Sequence, residues 1–115
     1  MRLIHCTQKL LKELAVVPTD TDATQMNSEG LGNWYANILR FDRRKCILFT
    51  NERTLYSFLV PGVLKKDLIR FNSLFINHLA FNLQYEGFST VVIERVLEEY
   101  KEINLARTLS IYMCP

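Results

Sequence analysis

The stretch WYANILRFDRRKCILFTNERTLYSFLV, Trp34 to Val60, constrains the fold more than any other part of the chain. It holds three β-rich runs, Trp34 to Phe41, Cys46 to Thr50 and Leu55 to Val60, separated by the polar turns DRRK and NERT. Aromatic and β-branched residues suit a pleated, half-buried surface, and connections this short reverse the chain, so an antiparallel three-strand meander is expected. In the middle run both alternating sets are apolar, Cys46 with Leu48 and Ile47 with Phe49, which predicts a strand buried on both faces and central in its sheet. Pro61 and Gly62 then end the third run and turn the chain.

After the turn the apolar period changes from two to between three and four. Leu68, Phe71, Phe75, Leu79 and Leu83 recur on one face of a long amphipathic helix over Lys65 to Glu86, with Gly87 placed as its left-handed C′ residue. Ser89 or Thr90 can cap a further helix to about Tyr100, with Val92, Ile93, Val96, Leu97 and Tyr100 inward and Glu94, Glu98 and Glu102 as an acidic outer edge. At the other end, Arg2 to Cys6 reads as a short strand, and Thr7 as the N-cap of a short helix carrying Leu10, Leu11 and Leu14. The tail returns to period two, Ile103, Leu105, Leu109 and Ile111, and is expected to add a last strand to the sheet. The fold class is α+β: a mainly antiparallel sheet, with the meander at its centre and the N- and C-terminal strands beside it, packed by two main helices and one short N-terminal helix.

Between Ala15 and Asn33 the residues are Thr, Asp, Asn, Ser, Gly and Pro without apolar period, so residues 15–33 are expected to form a mobile loop within one domain spanning residues 1–115. Nearly half the chain is apolar, 49 %, enough for one core in a domain of this length. Net charge is +2, but the excess is uneven: residues 41–73 carry seven basic and three acidic groups, while residues 74–115 carry three and five. Cys6, Cys46 and Cys114 are widely spaced and lack C-x-x-C pairing, which suggests neither a disulfide framework nor a zinc site and favours reduced thiols in the cytoplasm. The N-terminus reaches Gln8, Lys9, Lys12 and Glu13 before an apolar core of signal-peptide length can form, and no apolar run approaches the roughly 20 residues of a membrane helix.

The segments MRLIHCTQKLLKEL and LGNWYANILRFDRRKCILFTNERTLYSFLVPGVLKKDL resemble a family of small bacterial proteins known only as a domain of unknown function. The matched segments are Thr7 to Leu10, Trp34 to Asn37, Asp42 to Lys45 and Asn51 to Thr54, and the likeness covers the chain apart from the loop. The resemblance implies no activity. In that family's pattern the chain continues past the last strand with a small-residue stretch, whereas this one stops at TLSIYMCP, so a shortened member stays open at this point.

The residues that carry recognition chemistry are concentrated in the meander. Arg43, Arg44 and Lys45, with Arg53, offer guanidinium forks and an ammonium suited to phosphate, and Trp34 and Tyr35 are aromatic surfaces on which bases could stack. Asn37 is a polar residue within the first run of the meander. The plain alternative for each is structural: hairpin ends take charged residues for solubility, and aromatic residues fill cores. Nucleotide-loop and nucleophile-elbow motifs are missing, and neither a metal site nor a cofactor is expected. Three readings follow. The first is a non-catalytic cytoplasmic interaction module that meets a protein partner or a second copy of itself. The second is an RNA- or DNA-binding protein using the basic hairpin 40–53, and the third a metal-independent ribonuclease of the toxin kind, with His5 as general base and Arg43 or Arg44 stabilising the phosphorane.

Overall fold

The computed structural model describes residues 2–15 and 30–107. The first strand, β1 (Arg2–Cys6), leads into α1 (Gln8–Leu14), and the N-cap expected at Thr7 is present, its Oγ1 accepting the Leu10 amide at 3.3 Å. A helix of two turns cannot persist alone in water, and this one is held by burying Leu10 and Leu11. Most of the expected 15–33 loop lies outside the described residues.

The meander forms as β2 (Trp34–Phe41), β3 (Arg44–Asn51) and β4 (Ser57–Val60), paired antiparallel throughout. Asp42 and Arg43 make its first turn, both with positive φ, 52° and 66°. This is the two-residue type I′ hairpin, whose backbone twist matches that of the strands it joins. A side chain in the left-handed region costs roughly 1–2 kcal/mol, partly offset when a residue other than glycine restricts the unfolded chain. Arg43→Gly is therefore expected to stabilise the protein by up to about 1 kcal/mol, measured as a rise of a few degrees in the thermal midpoint.

The sheet order is β4-β3-β2-β1-β5, with β5 spanning Ile103–Arg107. This corrects two expectations. The meander occupies one side of the sheet, so β2 and not β3 takes the middle position. The sheet is mixed and not mainly antiparallel, because β1 pairs in parallel with both β2 and β5. The cause is the path of the helices. β4 ends level with Ile47, the intervening helices return the chain to the opposite end of the sheet, and β5 starts beside Arg2 and must run with β1. The expected continuation of this strand to Ile111 falls outside the described residues.

The long helix expected over Lys65 to Glu86 is two helices, α2 (Lys65–Ile69) and α3 (Phe71–Tyr85), broken at Arg70 with φ −110° and ψ 47°. Neither Pro nor Gly marks the break, and Leu68, Phe71 and Phe75 keep helical spacing across it, so periodicity alone could not reveal it. Four helices result where three were expected. α3 closes with the Gly87 cap foreseen from sequence: Phe88 N–H donates to Leu83 and Gly87 N–H to Gln84, with Gly87 at φ 93°. Ser89 caps α4 (Thr90–Glu99), which presses Ile93 and Val96 against the core and leaves Val92 exposed.

One face of the sheet carries the core. Ile4, Cys6, Trp34, Ala36, Ile38, Ile47, Phe49, Phe58 and Val60 meet Phe71, Phe75, Leu79 and Leu83 from the helices. Strand alternation sends His5, Tyr35, Asn37, Leu48, Thr50 and Leu59 to the other face. No helix among the described residues is long and apolar enough to cross a membrane.

Candidate functional site

The two ends of the sheet differ in charge and in purpose. At the hairpin end, Arg40, Phe41, Arg43 and Arg44 are all exposed, and Phe41 lies opposite Arg44 on the same face. Val63 N–H donates to the Lys45 carbonyl at 2.8 Å, which starts α2 beside the hairpin and adds exposed Lys65 and Lys66 to that end. Glu13 of α1 holds the Lys45 ammonium at 2.7 Å. Its carboxyl is pulled below the ordinary range by that hydrogen bond, which outweighs an opposing effect of desolvation, with further attraction from Lys45, Arg40 and Lys9. Lys45 is thus an internal tie, while Arg40, Arg43, Arg44, Lys65 and Lys66 form no ion pair among the described residues.

The other end is a clamp around residues 30–34. Trp34 is 1 % exposed, and its Nε1–H donates to the Tyr100 hydroxyl at 2.7 Å, which in turn donates to the Gly32 carbonyl at 2.7 Å. Burial raises the Tyr100 hydroxyl well above its ordinary pKa, so it stays a donor. The Glu99 carboxylate accepts the Leu31 and Gly32 amides at 3.0 and 2.9 Å and pairs with Arg2 at 2.7 Å. Asn51, 1 % exposed, accepts from the Arg53 and Thr54 amides and the Thr54 hydroxyl, and donates to the Leu31 carbonyl. Arg53 reaches across to the Gly30 carbonyl at 2.7 Å.

The structure therefore divides the residues singled out from sequence. Arg43 and Arg44 stand together at the exposed tip with Lys45 behind them. Arg53 lies at the far end of β3, about 23 Å of strand away, and cannot share a ligand with them. Trp34 is sealed in the core and cannot stack a base, which overturns that expectation: it fills the space between Phe58 and Phe75, with ring centroids at 5.5 and 5.4 Å. Tyr35 is half-buried against His5, centroids 5.3 Å apart. Asn37 is buried and accepts the Thr7 hydroxyl at 3.1 Å, tying β2 to the start of α1. The aromatic residue that accompanies the arginines is Phe41, 65 % exposed. Sequence reading missed it, although a two-residue turn places the residue before DR opposite the residue after it.

Other chemistry is weaker. His5 pairs in register with Tyr35, six residues and about 20 Å of strand from Phe41, so the ribonuclease arrangement of His5 with Arg43 or Arg44 is not assembled. Burial pushes the Cys6 thiol up to about 12, far from a reactive thiolate, and Cys46 is buried also. Cys114 lies outside the described residues. No group of three or more His, Cys, Asp or Glu able to hold a metal ion occurs among the described residues. A recess of about 360 Å³ between Trp34, Tyr56, Leu79, Leu83 and Phe88 is mainly apolar, with Glu86 on its lining, and the polar atoms of Asn51 beneath it are already bonded within the protein.

Compared with known proteins, residues 3–111 match the family model described as Domain of unknown function (DUF6933). No curated protein and no solved structure matches the chain.

Proposed function

The chain belongs to the DUF6933 family, whose description names no activity, and from that premise we propose that the protein is a non-catalytic interaction module presenting its basic end to an acidic macromolecular partner. The observation that carries this reading is the convergence of Arg40, Arg43, Arg44, Lys65 and Lys66, from two separated stretches of sequence, at one exposed end, none of them in an ion pair among the described residues. Such a cluster attracts polyanions over a Debye length of about 8 Å at physiological salt. The second reading takes the partner to be single-stranded nucleic acid. Phe41, exposed and opposite Arg44, favours it, because base stacking on an aromatic ring beside arginines contributes about 1–3 kcal/mol per base.

The test is fluorescence anisotropy with labelled single-stranded RNA, duplex DNA and polyglutamate, each titrated at several salt concentrations. All polyanions are expected to bind at low salt and to weaken as salt rises. Arg43→Ala with Arg44→Ala should lower the RNA salt slope by about 1–2, following the number of phosphate contacts removed. Phe41→Ala should cut RNA affinity roughly tenfold or more and leave polyglutamate binding unchanged if bases stack there. Equal loss for both ligands removes the nucleic-acid reading. Binding untouched by the arginine variant, or no binding at low salt, overturns the proposal as a whole.

A further inference from the structure

β4 is an edge of the sheet among the described residues, and it reads Ser57-Phe58-Leu59-Val60 without one of the charges that normally keep an edge from pairing. Asn51 N–H donates to the Tyr56 carbonyl, so the backbone of Tyr56, and by alternation of Phe58 and Val60, faces β3. Ser57 and Leu59 therefore turn their amides and carbonyls outward. Beside this edge runs a groove of about 400 Å³, bounded by Leu59 and Pro61 from the strand side and by Asn77, His78, Phe81 and Asn82 from α3. Leu59 is 42 % and Phe81 65 % exposed.

We propose that a second copy of this chain occupies the edge, β4 pairing antiparallel with β4 of that copy to make one continuous ten-stranded sheet. In an antiparallel pair, residues directly opposite share a face, a condition met by the register that sets Phe58 opposite Phe58 and Ser57 opposite Leu59 of the other copy. In that register all four outward groups on each copy are satisfied, giving four reciprocal main-chain hydrogen bonds around a two-fold axis.

The charges decide for a second copy over an unrelated strand. β4 runs from the end where Tyr56 and Glu86 line one recess toward the end where Val63 N–H bonds the Lys45 carbonyl and exposed Lys65 and Lys66 follow. A two-fold axis at Phe58 reverses this direction in the other copy and sets Lys65 and Lys66 of one near Glu86 of the other, twice. Among the described residues, no Asp, Glu, Lys or Arg lines the groove between them.

The experiment is sedimentation equilibrium of the full chain from 1 to 200 µM at low and physiological salt, with thermal melts as fold controls. The wild type is expected to dimerise, more weakly as salt rises. Leu59→Lys, at an exposed position, should fold normally and lower the association constant at least tenfold. Lys65→Glu with Lys66→Glu should also weaken association, and adding Glu86→Lys should restore it. A wild type monomeric at 200 µM in low salt overturns the proposal. So does a dimer that Leu59→Lys leaves intact, which would place the contact on another surface such as the β5 edge. Failure of the charge swap to restore association overturns the antiparallel arrangement.

Discussion

Replacing Phe75 by alanine is expected to lower the unfolding free energy by about 4 kcal/mol and the thermal midpoint by about 15 °C. Phe75 is fully buried at the point where the sheet, α3 and the end of α4 meet. Its ring touches four others, with centroids 5.4 Å from Trp34, 5.0 Å from Phe49, 6.1 Å from Phe58 and 5.5 Å from Tyr100. Truncation removes apolar area and leaves a cavity that stiff aromatic neighbours cannot close, so the cost falls in the upper part of the usual range. A domain of this length has roughly 6–17 kcal/mol in total, so one side chain accounts for a large share. Phe75→Leu keeps most of the volume and should cost no more than about 1.5 kcal/mol. Urea unfolding of both variants checks this. Equal losses for alanine and leucine would show that ring contact, and not volume, dominates the site, and a loss under 2 kcal/mol for alanine would show that the cluster does not close on Phe75.

Glu99→Ala is expected to cost about 3–5 kcal/mol, although it alters only one residue near the end of a helix that contributes no fully buried side chain of its own. The Glu99 and Arg2 side chains are 13 % and 7 % exposed. Removing the carboxylate leaves a guanidinium in a poorly solvated place and takes the acceptor from the Leu31 and Gly32 amides. Replacing both partners by apolar residues, Arg2→Met with Glu99→Leu, should recover part of the loss, because neither charge is then buried. Recovery should stay incomplete, since the two amides remain unsatisfied. Full recovery in the double variant would show that the amides find water and that the ion pair alone is at stake; a single-variant loss below 1 kcal/mol would show that Glu99 behaves as a surface charge.

These two residues also show what was legible in advance. Phe75 falls on the inward stripe of its helix by spacing alone, because helical period is a property of neighbours three and four apart. Glu99 stands outside the solvated edge that the same period gives to Glu94, Glu98 and Glu102. What distinguishes Glu99 is a partner 97 positions earlier, Arg2, and two amides of residues 31 and 32, and no local pattern encodes such a contact. The matched family segments follow the same division. Thr7 caps α1 as expected, because capping is local. Trp34 and Asn37 are open to recognition roles from sequence, and only the structure shows their buried hydrogen bonds to Tyr100 and Thr7.

The residue order alone settled the α+β class, the places of five strands, the caps at Thr7, Gly87 and Ser89 and the concentration of positive charge in the middle third. All of these depend on interactions spanning a few residues, where apolar period and turn chemistry speak directly. Only the tertiary structure decided the break at Arg70, the parallel pairing of β1 with β2 and β5, and the isolation of Arg53 from Arg43 and Arg44. It also brought Lys65 and Lys66 to the hairpin and turned Phe41 outward beside Arg44. Each of these depends on which end of the sheet the chain has reached when an element begins, and that is set by long-range packing of helices on the sheet, which short-range patterns do not specify.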